Sequence, residues 1–455
     1  MVFKVSKRVS QRLLMNKKLV ISTVSLLTIT LIATLPLVDY HFNSTKTMAL
    51  HTSGSKIVDA YGNVVYLRGI GRSGDLQSPS GMWSEPGEQV FSWDQKWRPI
   101  EENLPKMDAT LQCYRDYWHV NMIRIFIPVD WWWTDNISRA TYEPEAANIT
   151  ISYRHYLETL VQEAAKYGIY VDLCPYSAVN GYLFSRTFEG EPGTWVPNTA
   201  SYQFIQTVTA DAGRNEMEFW RLWWGSVVER LGGYRNVIFE LWNEPGDNKT
   251  TFFSYIIEAY KTIRNLSNQN LVFMQWEVGI VPGWQSLSWA PELFSQLKNA
   301  TGKAPLNVAF TTHTYMHSPY PNLQWAHNYE EVKRQLNAPD MVPQTRNINC
   351  TVPLVFNEMG VLDADFIYNY WASVEERFGG GNLTLAQRRA REYSFWTAIL
   401  QNAKDLGIGV CAYYWMQDSV SVAYGYAGEA LVSSDVWTGG SPTPNFAGKT
   451  FIETA

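Results

Sequence analysis

Eight short apolar runs, separated by helical patterns, restrict the fold of this chain more than any other feature of its sequence. Each run is continuously apolar, which is typical of parallel strands that are buried on both faces. The runs lie at residues 64–70, 121–129, 168–176, 236–245, 270–276, 307–315, 353–360 and 409–417. Helical patterns, with apolar residues three and four positions apart, lie at residues 153–168, 216–233, 251–265 and 385–407. This alternation predicts an α/β fold, a (β/α)8 TIM barrel.

The connections between the predicted strands are longer than a minimal barrel needs. The longest are expected to be loops, at residues 73–105, 177–215, 277–304 and 317–350. In a barrel the βα loops lie on the face that carries the site, so these long βα loops are expected to form the walls of a cleft. An open, doubly wound sheet is the alternative architecture.

The N-terminal residues have the pattern of a targeting segment. Six lysines and arginines precede an uncharged apolar run at residues 19–38. Its 20 residues are enough to span a bilayer, and the basic side is expected to stay in the cytoplasm. We therefore predict a signal peptide or membrane anchor with a short linker at residues 1–50, and an exported barrel domain at residues 51–455. A cleaved signal, which releases a secreted protein, and an uncleaved membrane tether both remain open.

The charge and the aromatic content of the chain narrow its partners. The formal net charge is −6 at pH 7, and the part after the basic N-terminal residues is more acidic still. Nucleic acid and anionic membrane surfaces are therefore poor partners, and a neutral ligand is expected. Aromatic residues make up 15% of the chain, which fits either a well-filled core or exposed rings that stack on sugars.

Two further patterns bear on the compartment. Eight asparagines begin an N-x-S/T triplet, the acceptor pattern for N-glycosylation: Asn43, Asn136, Asn148, Asn248, Asn265, Asn299, Asn349 and Asn382. The cysteines lie far apart without metal-ligand spacing, at Cys113, Cys174, Cys350 and Cys411. An exported protein permits disulfides, but the sequence leaves their pairing open. No metal or organic cofactor is expected, and the oligomeric state is left open.

Polar and aromatic residues follow the predicted strands at the end where a barrel carries its site. They are Arg124 on the second predicted strand, Asn243 and Glu244 on the fourth, His313 and Tyr315 on the sixth, Glu358 on the seventh and Trp415 on the eighth. Two glutamates from different strands fit the cleavage of a glycosidic bond. One carboxyl group protonates the leaving oxygen, and the other attacks or stabilises the anomeric carbon.

These motifs, in this order, resemble those of glycoside hydrolase family 5. YLRGIG resembles the opening strand of the family, NMIRIFIP the second strand with its buried arginine, WNEP the acid/base motif, HTY the sixth-strand pair and FNEMG the nucleophile motif. Each motif is weak alone, but all of them in order, each closing an apolar run, are specific. The resemblance spans about residues 55 to 420 and implies a retaining β-glycosidase.

The resemblance implies a role for each matching residue. Glu244 would be the general acid/base and Glu358 the nucleophile, with carboxyl groups about 5–5.5 Å apart, as in retaining enzymes. Asn243 would hydrogen-bond the sugar 2-hydroxyl. Arg124 and Tyr315 would hold Glu358 ionised and oriented.

Other residues are candidates for substrate contacts. By the same resemblance, His313 would lie near Glu244 or the sugar hydroxyls, and Trp415 would be the platform under the cleaved sugar. Trp131 and Trp276 are candidates for stacking on further sugar units, with packing inside the loops as the alternative.

The third predicted strand departs from the family pattern. Many members have D-x-H at its end, whereas this chain has VDLCPYS, so that Cys174, Pro175 or Tyr176 takes the place of the histidine. Tyr176 is the candidate that can donate a hydrogen bond to the same substrate hydroxyl. The departure leaves the sugar specificity open and does not affect the two-glutamate chemistry.

Together these features predict retaining hydrolysis of β-glycosidic bonds in a neutral polysaccharide, with an endo-β-1,4-glucanase (cellulase) as the leading expectation. A β-mannanase, a β-1,3-glucanase, an exo-glucosidase and a transglycosylase are the alternatives within the same fold. A non-catalytic sugar-binding barrel at the cell surface is the alternative from another class.

Overall fold

The barrel region of the chain is seen in a computed structural model. The residues described are 49–71, 100–135, 152–176, 216–243, 249–267, 269–275, 290–315, 328–336, 352–360, 384–413, 444 and 446–454. They belong to one compact unit, residues 47–455. Within these ranges no helix has the length and apolar character needed to cross a membrane. The targeting segment predicted at residues 19–38 lies outside the described residues and stays a prediction.

Eight parallel strands form a closed barrel, as the alternating pattern predicts. A short antiparallel hairpin precedes them, formed by β1 (His51–Ser53) and β2 (Lys56–Val58). The barrel strands are β3 (Arg68–Gly71), β4 (Met122–Pro128), β5 (Tyr170–Tyr176), β6 (Val237–Glu240), β7 (Leu271–Gln275), β8 (Val308–Tyr315), β9 (Leu354–Gly360) and β10 (Gly409–Tyr413). Each strand pairs with its neighbour in the chain, and β10 closes the barrel by pairing with β3.

Helices are described between most of the strands. They are α1 (Ile100–Asp116), α2 (Val129–Thr134), α3 (Tyr153–Lys166), α4 (Glu216–Leu231), α5 (Lys249–Leu266), α6 (Ala290–Thr301), α7 (Tyr329–Leu336), α8 (Leu385–Leu406) and α9 (Phe446–Glu453). The four helical patterns of the sequence correspond to α3, α4, α5 and α8. The alternation with parallel strands is that of a (β/α)8 barrel.

Three of the predicted long loops are wrong in part, because they contain helical residues. The range 73–105 includes the start of α1, 277–304 includes α6, and 317–350 includes α7. In α6, Leu293, Phe294 and Leu297 are buried at the three and four spacing of an amphipathic helix. The pattern is short and is flanked by polar residues, which is why the sequence by itself favours a loop here.

Capping residues mark the ends of two helices around the barrel. The Ser152 side chain accepts a hydrogen bond from the His155 backbone at the start of α3. Thr384 and Gln387 form a capping box at the start of α8. Gly407 ends α8 with a φ of 69°, a left-handed conformation that glycine adopts without a Cβ penalty. Gly407 therefore marks the end of α8.

Two predicted strands are shorter in the structure. The first was predicted at residues 64–70, but β3 begins at Arg68, because Val64 pairs with Val58 and the Val65 N–H donates to Ile57 O of the hairpin. The fourth was predicted at residues 236–245, but β6 ends at Glu240. After one more hydrogen bond, from Leu241 N to Phe273 O, the chain leaves the ladder.

Aromatic side chains fill the layer between the barrel and its helices. Trp220, Trp223 and Trp224 on α4 are fully buried and contact one another. Trp242, just after β6, packs against Trp220 and Tyr255. For these residues the well-filled core is the correct interpretation of the high aromatic content. Stacking on a sugar is not available to rings that are fully buried.

A second, smaller apolar cluster lies inside the barrel, and we call it the interior cluster. It comprises Leu50, Ile57, Leu67, Met122, Tyr170, Ile238, Leu271, Phe273, Ala309, Val355 and Cys411. Most of these residues come from the first positions of the strands, where each strand enters the barrel. Leu50 and Ile57 come from the hairpin region, so the hairpin packs against the entrance end. The interior is therefore a packed core at this end.

Candidate active site

The inward-facing side chains change from apolar to charged within one step along three neighbouring strands. Side chains two positions apart on a strand share a face. The step leads from Met122 to Arg124 on β4, from Tyr170 to Asp172 on β5, and from Ile238 to Glu240 on β6. The three charged residues are fully buried, and Arg124 is in register with Asp172. This charged layer lies toward the carboxyl ends of the strands, where barrel enzymes carry their sites.

Arg124 is the centre of the charged layer. Its Nη1 donates to Glu358 Oε2 at 2.7 Å, and its Nη2 donates to Asn243 Oδ1 at 2.8 Å. Its Nε and Nη2 donate to the two carboxylate oxygens of Glu240, at 2.6 and 2.7 Å. Burial acts to lower the pKa of Arg124, but Glu240 and Glu358 raise it, and the net pKa lies above its usual value. The guanidinium therefore stays charged, and its contacts link β4 to β6 and β9.

Glu240 is a site residue that sequence reasoning missed. Besides the two-pronged contact with Arg124, its Oε1 accepts a hydrogen bond from Asn357 Nδ2 at 2.8 Å. The signal was available, because Glu240 is a carboxylate in the apolar run NVIFELW and a buried charge needs a partner. Arg124 in NMIRIF and Asp172 in GIYVDL carry the same signal on the adjacent strands.

Glu358 reaches the site through an irregularity in β9. Asn357 and Glu358 are consecutive, yet both contact groups inside the barrel, although consecutive side chains of a regular strand point to opposite faces. The register shifts here, with Thr312 opposite Phe356 and His313 opposite Glu358, so Asn357 is the extra residue. The β10 register shifts at the same place. This β-bulge directs both side chains inward.

His313 lies beside Glu358 on the neighbouring strand. Its Nε2 is 3.5 Å from Glu358 Oε2 and also contacts the side-chain amide of Gln275 on β7. His313 and Gln275 are fully buried, whereas Glu358 is 8% exposed. Gln275 is a second residue that the sequence interpretation missed. The arrangement orients Glu358 from two sides and leaves part of it accessible.

Cys174 is one of the three residues of β5 that are candidates for the place of the family's histidine. It is fully buried, and its Sγ is 3.7 Å from Arg124 Nη2. Burial raises the pKa of Cys174 well above its usual value, and Glu240 raises it further. Burial also raises the pKa of Cys411 on β10. Both residues are therefore neutral thiols in the interior.

The structure brings together four of the residues predicted for the site: Arg124, Asn243, His313 and Glu358. Glu244, Trp276 and Trp415 lie outside the described residues. The backbones of Trp131, Tyr176 and Tyr315 belong to α2, β5 and β8, but their side chains are not described. The roles predicted for these six residues stay predictions.

The described part of the site fixes one partly accessible carboxyl group and shows no metal-binding geometry. Glu358 is a partly exposed carboxylate that one guanidinium and one imidazole hold from within the barrel. Across the described ranges, no group of three or more His, Cys, Asp or Glu residues has an arrangement that would hold a metal ion. A carboxylate fixed in this way can attack an electrophilic carbon in reach of the cleft.

Comparison with known proteins identifies the family. Residues 84–403 match the family described as Cellulase (glycosyl hydrolase family 5). No curated protein sequence matches the chain. Two solved structures of a β-glucanase from Saccharophagus degradans, the native form and a complex with cellotetraose, each show 15% identity and a TM-score of 0.51. In both, 90% of this chain and 94% of that chain are covered.

A third solved structure is the catalytic domain of the major endoglucanase from Xanthomonas campestris pv. campestris. It is 16% identical to this chain, has a TM-score of 0.49, and is covered over 89% of this chain and 99% of that chain. At such low identity the likeness to the β-glucanase shows a shared fold and nothing finer. The family match, in contrast, covers more than half of the chain. The chain therefore belongs to glycosyl hydrolase family 5, the cellulase family, and is a retaining glycosidase that acts on β-glycans.

Proposed function

We propose that the protein is an endo-β-1,4-glucanase in which Glu358 is the nucleophile and Glu244 the general acid/base. The observation that carries this proposal is the position of Arg124, which contacts Glu358 and Asn243 at once. Glu244 is bonded to Asn243, and consecutive Cα atoms are about 3.8 Å apart. The contact therefore supports two glutamates within reach of one glycosidic bond.

The proposed reaction has two steps. In the first, a carboxylate oxygen of Glu358 bonds to the anomeric carbon while Glu244 gives its proton to the departing glycosidic oxygen. In the second, Glu244 takes a proton from water, and the water oxygen displaces Glu358 from the same carbon. Two inversions leave the anomeric configuration unchanged, and both carboxyl groups return to their starting states.

Asn243 and His313 are proposed to position the substrate and the nucleophile. Asn243 Oδ1 accepts from Arg124, so its Nδ2 is the atom that would donate to a hydroxyl of the bound sugar. His313 is close to Glu358 Oε2, which supports a role on the nucleophile side of the cleft. Such fixed contacts lower the entropic cost of reaching the reactive geometry.

The choice of a β-1,4-glucan rests on the comparisons. The matched family is described as Cellulase, and the β-glucanase from Saccharophagus degradans, which shares the fold, was solved in complex with cellotetraose. We infer that this chain binds a cello-oligosaccharide at the face of its barrel where the strands end and Glu358 is partly exposed. A polysaccharide groove along this face would make the enzyme endo-acting.

A mechanism-based inhibitor tests the catalytic roles. A 2-fluoro cellobioside with a good leaving group forms the glycosyl-enzyme but hydrolyses slowly, so the nucleophile stays labelled. We expect mass spectrometry of the digested protein to find the label on Glu358, and Glu358→Gln to prevent labelling. Glu158→Gln, which removes a charge from a partly exposed ion pair with Arg230, is the matched control that should label normally. A label on another residue would overturn the assignment.

A substrate panel tests the specificity. We expect hydrolysis of carboxymethyl cellulose, with viscosity falling well before reducing ends accumulate, as endo cleavage requires. Slow release from a nitrophenyl glucoside would agree with this. Activity confined to glucomannan or to laminarin would replace the β-1,4-glucanase proposal by a mannanase or a β-1,3-glucanase. Longer products at high substrate would indicate transglycosylation instead.

We also propose that the protein is exported, either secreted or tethered through residues 19–38. The basic residues before this apolar run support export. Two of the N-x-S/T asparagines, Asn265 and Asn299, are exposed on α5 and α6, where a glycan could be carried. Expression of the full chain in a secretory host, followed by fractionation and glycan removal, tests this. Activity confined to the cytosol without a mobility shift would contradict it.

A further inference from the structure

Asp172 is a buried carboxyl group that the proposed mechanism does not use. Its exposure is 0%, and no donor among the described residues hydrogen-bonds to either of its oxygens. The nearest cation in the described part of the chain is Arg124, whose Nε is 3.9 Å from Asp172 Oδ2, beyond hydrogen-bonding distance. An ionised carboxylate in such a place is very unfavourable, because nothing replaces the water it has lost.

The neighbour that Asp172 can hydrogen-bond is another carboxyl group, that of Glu240. Glu240 accepts three hydrogen bonds, two from Arg124 and one from Asn357. A carboxylate has about four acceptor positions, so one remains for a further donor, and the Cys174 thiol is a second, weaker candidate for it. Two ionised carboxylates both accept and repel each other, whereas a protonated one donates to its partner.

We propose that Asp172 is a positioning residue that keeps a proton on its carboxyl group and donates it to Glu240. Glu240 then stays seated against Arg124, and Arg124 keeps Nη1 directed at Glu358. The effect on catalysis rests on the proposed function, in which Glu358 is the nucleophile. The proton on Asp172 can be observed without substrate.

The consequence follows from the position of the three side chains. An ionised Asp172 would repel Glu240 and compete for the guanidinium from 3.9 Å away, drawing it from Glu358. A neutral Asp172 instead adds a fourth hydrogen bond to Glu240. The proton therefore acts on the nucleophile through Glu240 and Arg124, not by contact with the substrate.

The groups around Asp172 agree with this. Those that act on it in the described structure are Arg124 from β4, Cys174 from its own strand, Glu240 from β6 and Cys411 from β10. Burial raises the pKa of Asp172 well above its usual value, Glu240 raises it further, and Arg124 opposes both. The two thiols are neutral, so among these groups Arg124 is the cation that opposes protonation.

Infrared spectroscopy of the folded enzyme tests the proton directly. The carbonyl stretch of a neutral carboxyl group is separate from that of carboxylates, and at neutral pH surface carboxyl groups are ionised. We expect the wild type to show such a band, part of which shifts on labelling with carbon-13 aspartate, and Asp172→Asn to lack that shifting part; the protonated Glu244 of the proposed mechanism contributes a part that the aspartate label leaves in place. The labelled wild type needs no substitution, so the test does not depend on the variant folding. No shift with labelled aspartate would overturn the proposal.

The pH profile of kcat/KM tests the consequence in catalysis. Asp172→Asn replaces a neutral donor by a neutral donor, so the acid limb of the pH profile should not move, whereas Asp172→Leu, which has no donor, should lower kcat/KM. Glu240→Gln removes a charge beside Arg124, so the acid limb should move to lower pH, with about a tenfold or greater loss. If Asp172 were ionised, Asp172→Asn would also move the acid limb to lower pH, and that result would overturn the proposal.

Fluorosugar labelling and the aspartate infrared band together distinguish a wrong role for Asp172 from a wrong role for Glu358. If fluorosugar labelling finds another nucleophile while the aspartate band is present, the protonated Asp172 stands and its link to catalysis is lost. If Glu358 is labelled but the band is absent, only the inference fails. Glu158→Gln serves again as the control, since it removes a carboxylate far from the barrel interior and should change neither readout.

Discussion

The two ends of the barrel interior are built from the same strands but have opposite chemistry. The entrance end holds the interior cluster, whose side chains are almost all apolar. Two residues further along, the same strands present Arg124, Asp172 and Glu240, which are equally buried. Burial therefore does not distinguish the residues that stabilise the barrel from those that form the candidate site. What differs is whether each buried group needs a specific partner.

The entrance end is held by packing, which depends on volume and tolerates exchange among apolar side chains. The charged end is held by a small set of directional contacts, most of which involve Arg124 or Glu240. We therefore expect substitutions at the entrance to change the free energy of unfolding with little effect on turnover. Substitutions at the charged end should change turnover, stability or pH dependence according to the charge they remove.

The largest effect is expected for Glu358→Gln. Removal of the proposed nucleophile should lower kcat by about 10⁴-fold or more, because the covalent step is lost. The melting temperature should change little, since the glutamine side chain is nearly the same size and its oxygen still accepts from Arg124. Steady-state kinetics and thermal unfolding check both statements. A variant that keeps more than a tenth of the activity would contradict the assignment.

Arg124→Leu should have the largest effect on stability. It leaves the Glu240 carboxyl group buried without its main partner, which typically costs about 3–5 kcal/mol of unfolding free energy. The double variant Arg124→Leu with Glu240→Gln should recover part of this loss, because the unpaired charge is gone. Chemical denaturation of both variants is the measurement. Equal stabilities for the single and the double variant would refute the ionic account of this end.

Leu271→Ala tests the entrance end. Leu271 is 1% exposed in the interior cluster, so its truncation should cost about 2–5 kcal/mol through lost burial and a residual cavity. Turnover by the folded variant should stay close to wild type, because Leu271 contacts none of the site residues described above. Denaturation and kinetics at a temperature where the variant is folded separate the two. A large fall in kcat without loss of stability would break the comparison.

The smallest effect is the pH dependence of stability that Asp172 confers. The pKa of Asp172 is raised in the folded state from the ordinary value of 3.8, so above that pH the unfolded chain loses a proton that the folded protein keeps. Stability then falls as pH rises, by up to about 1.4 kcal/mol per pH unit, until the folded-state pKa is reached.

Asp172→Asn has no such proton and should lack this contribution. The stability of the wild type relative to this variant should therefore decrease as the pH rises above the ordinary pKa of an aspartate, 3.8, until the folded-state pKa is reached. Denaturant titrations of both proteins across this range measure the difference. A constant difference would show that Asp172 has the same protonation state in the folded and unfolded chain.

The barrel and part of its site were predictable from particular residues. Continuous apolar runs placed the strands, and the polar residues that close them pointed to Arg124, His313 and Glu358, which the structure brings together. Glu240 and Asp172 were also within reach of sequence reasoning. A charged residue in a strand buried on both faces must have a partner, and three such residues occur on adjacent strands.

The sequence by itself determined the barrel. Parallel strands that are buried on both faces need continuous apolar runs, and the chain has eight such runs that alternate with helical segments. Only the tertiary structure decided how Asn357 and Glu358 both face inward, since the two-residue period of a strand assigns neighbours to opposite faces. The β-bulge in β9 overrides that period. The bulge arises from pairing with β8 and β10, which are distant from β9 in sequence. The residues of β9 alone therefore do not predict it.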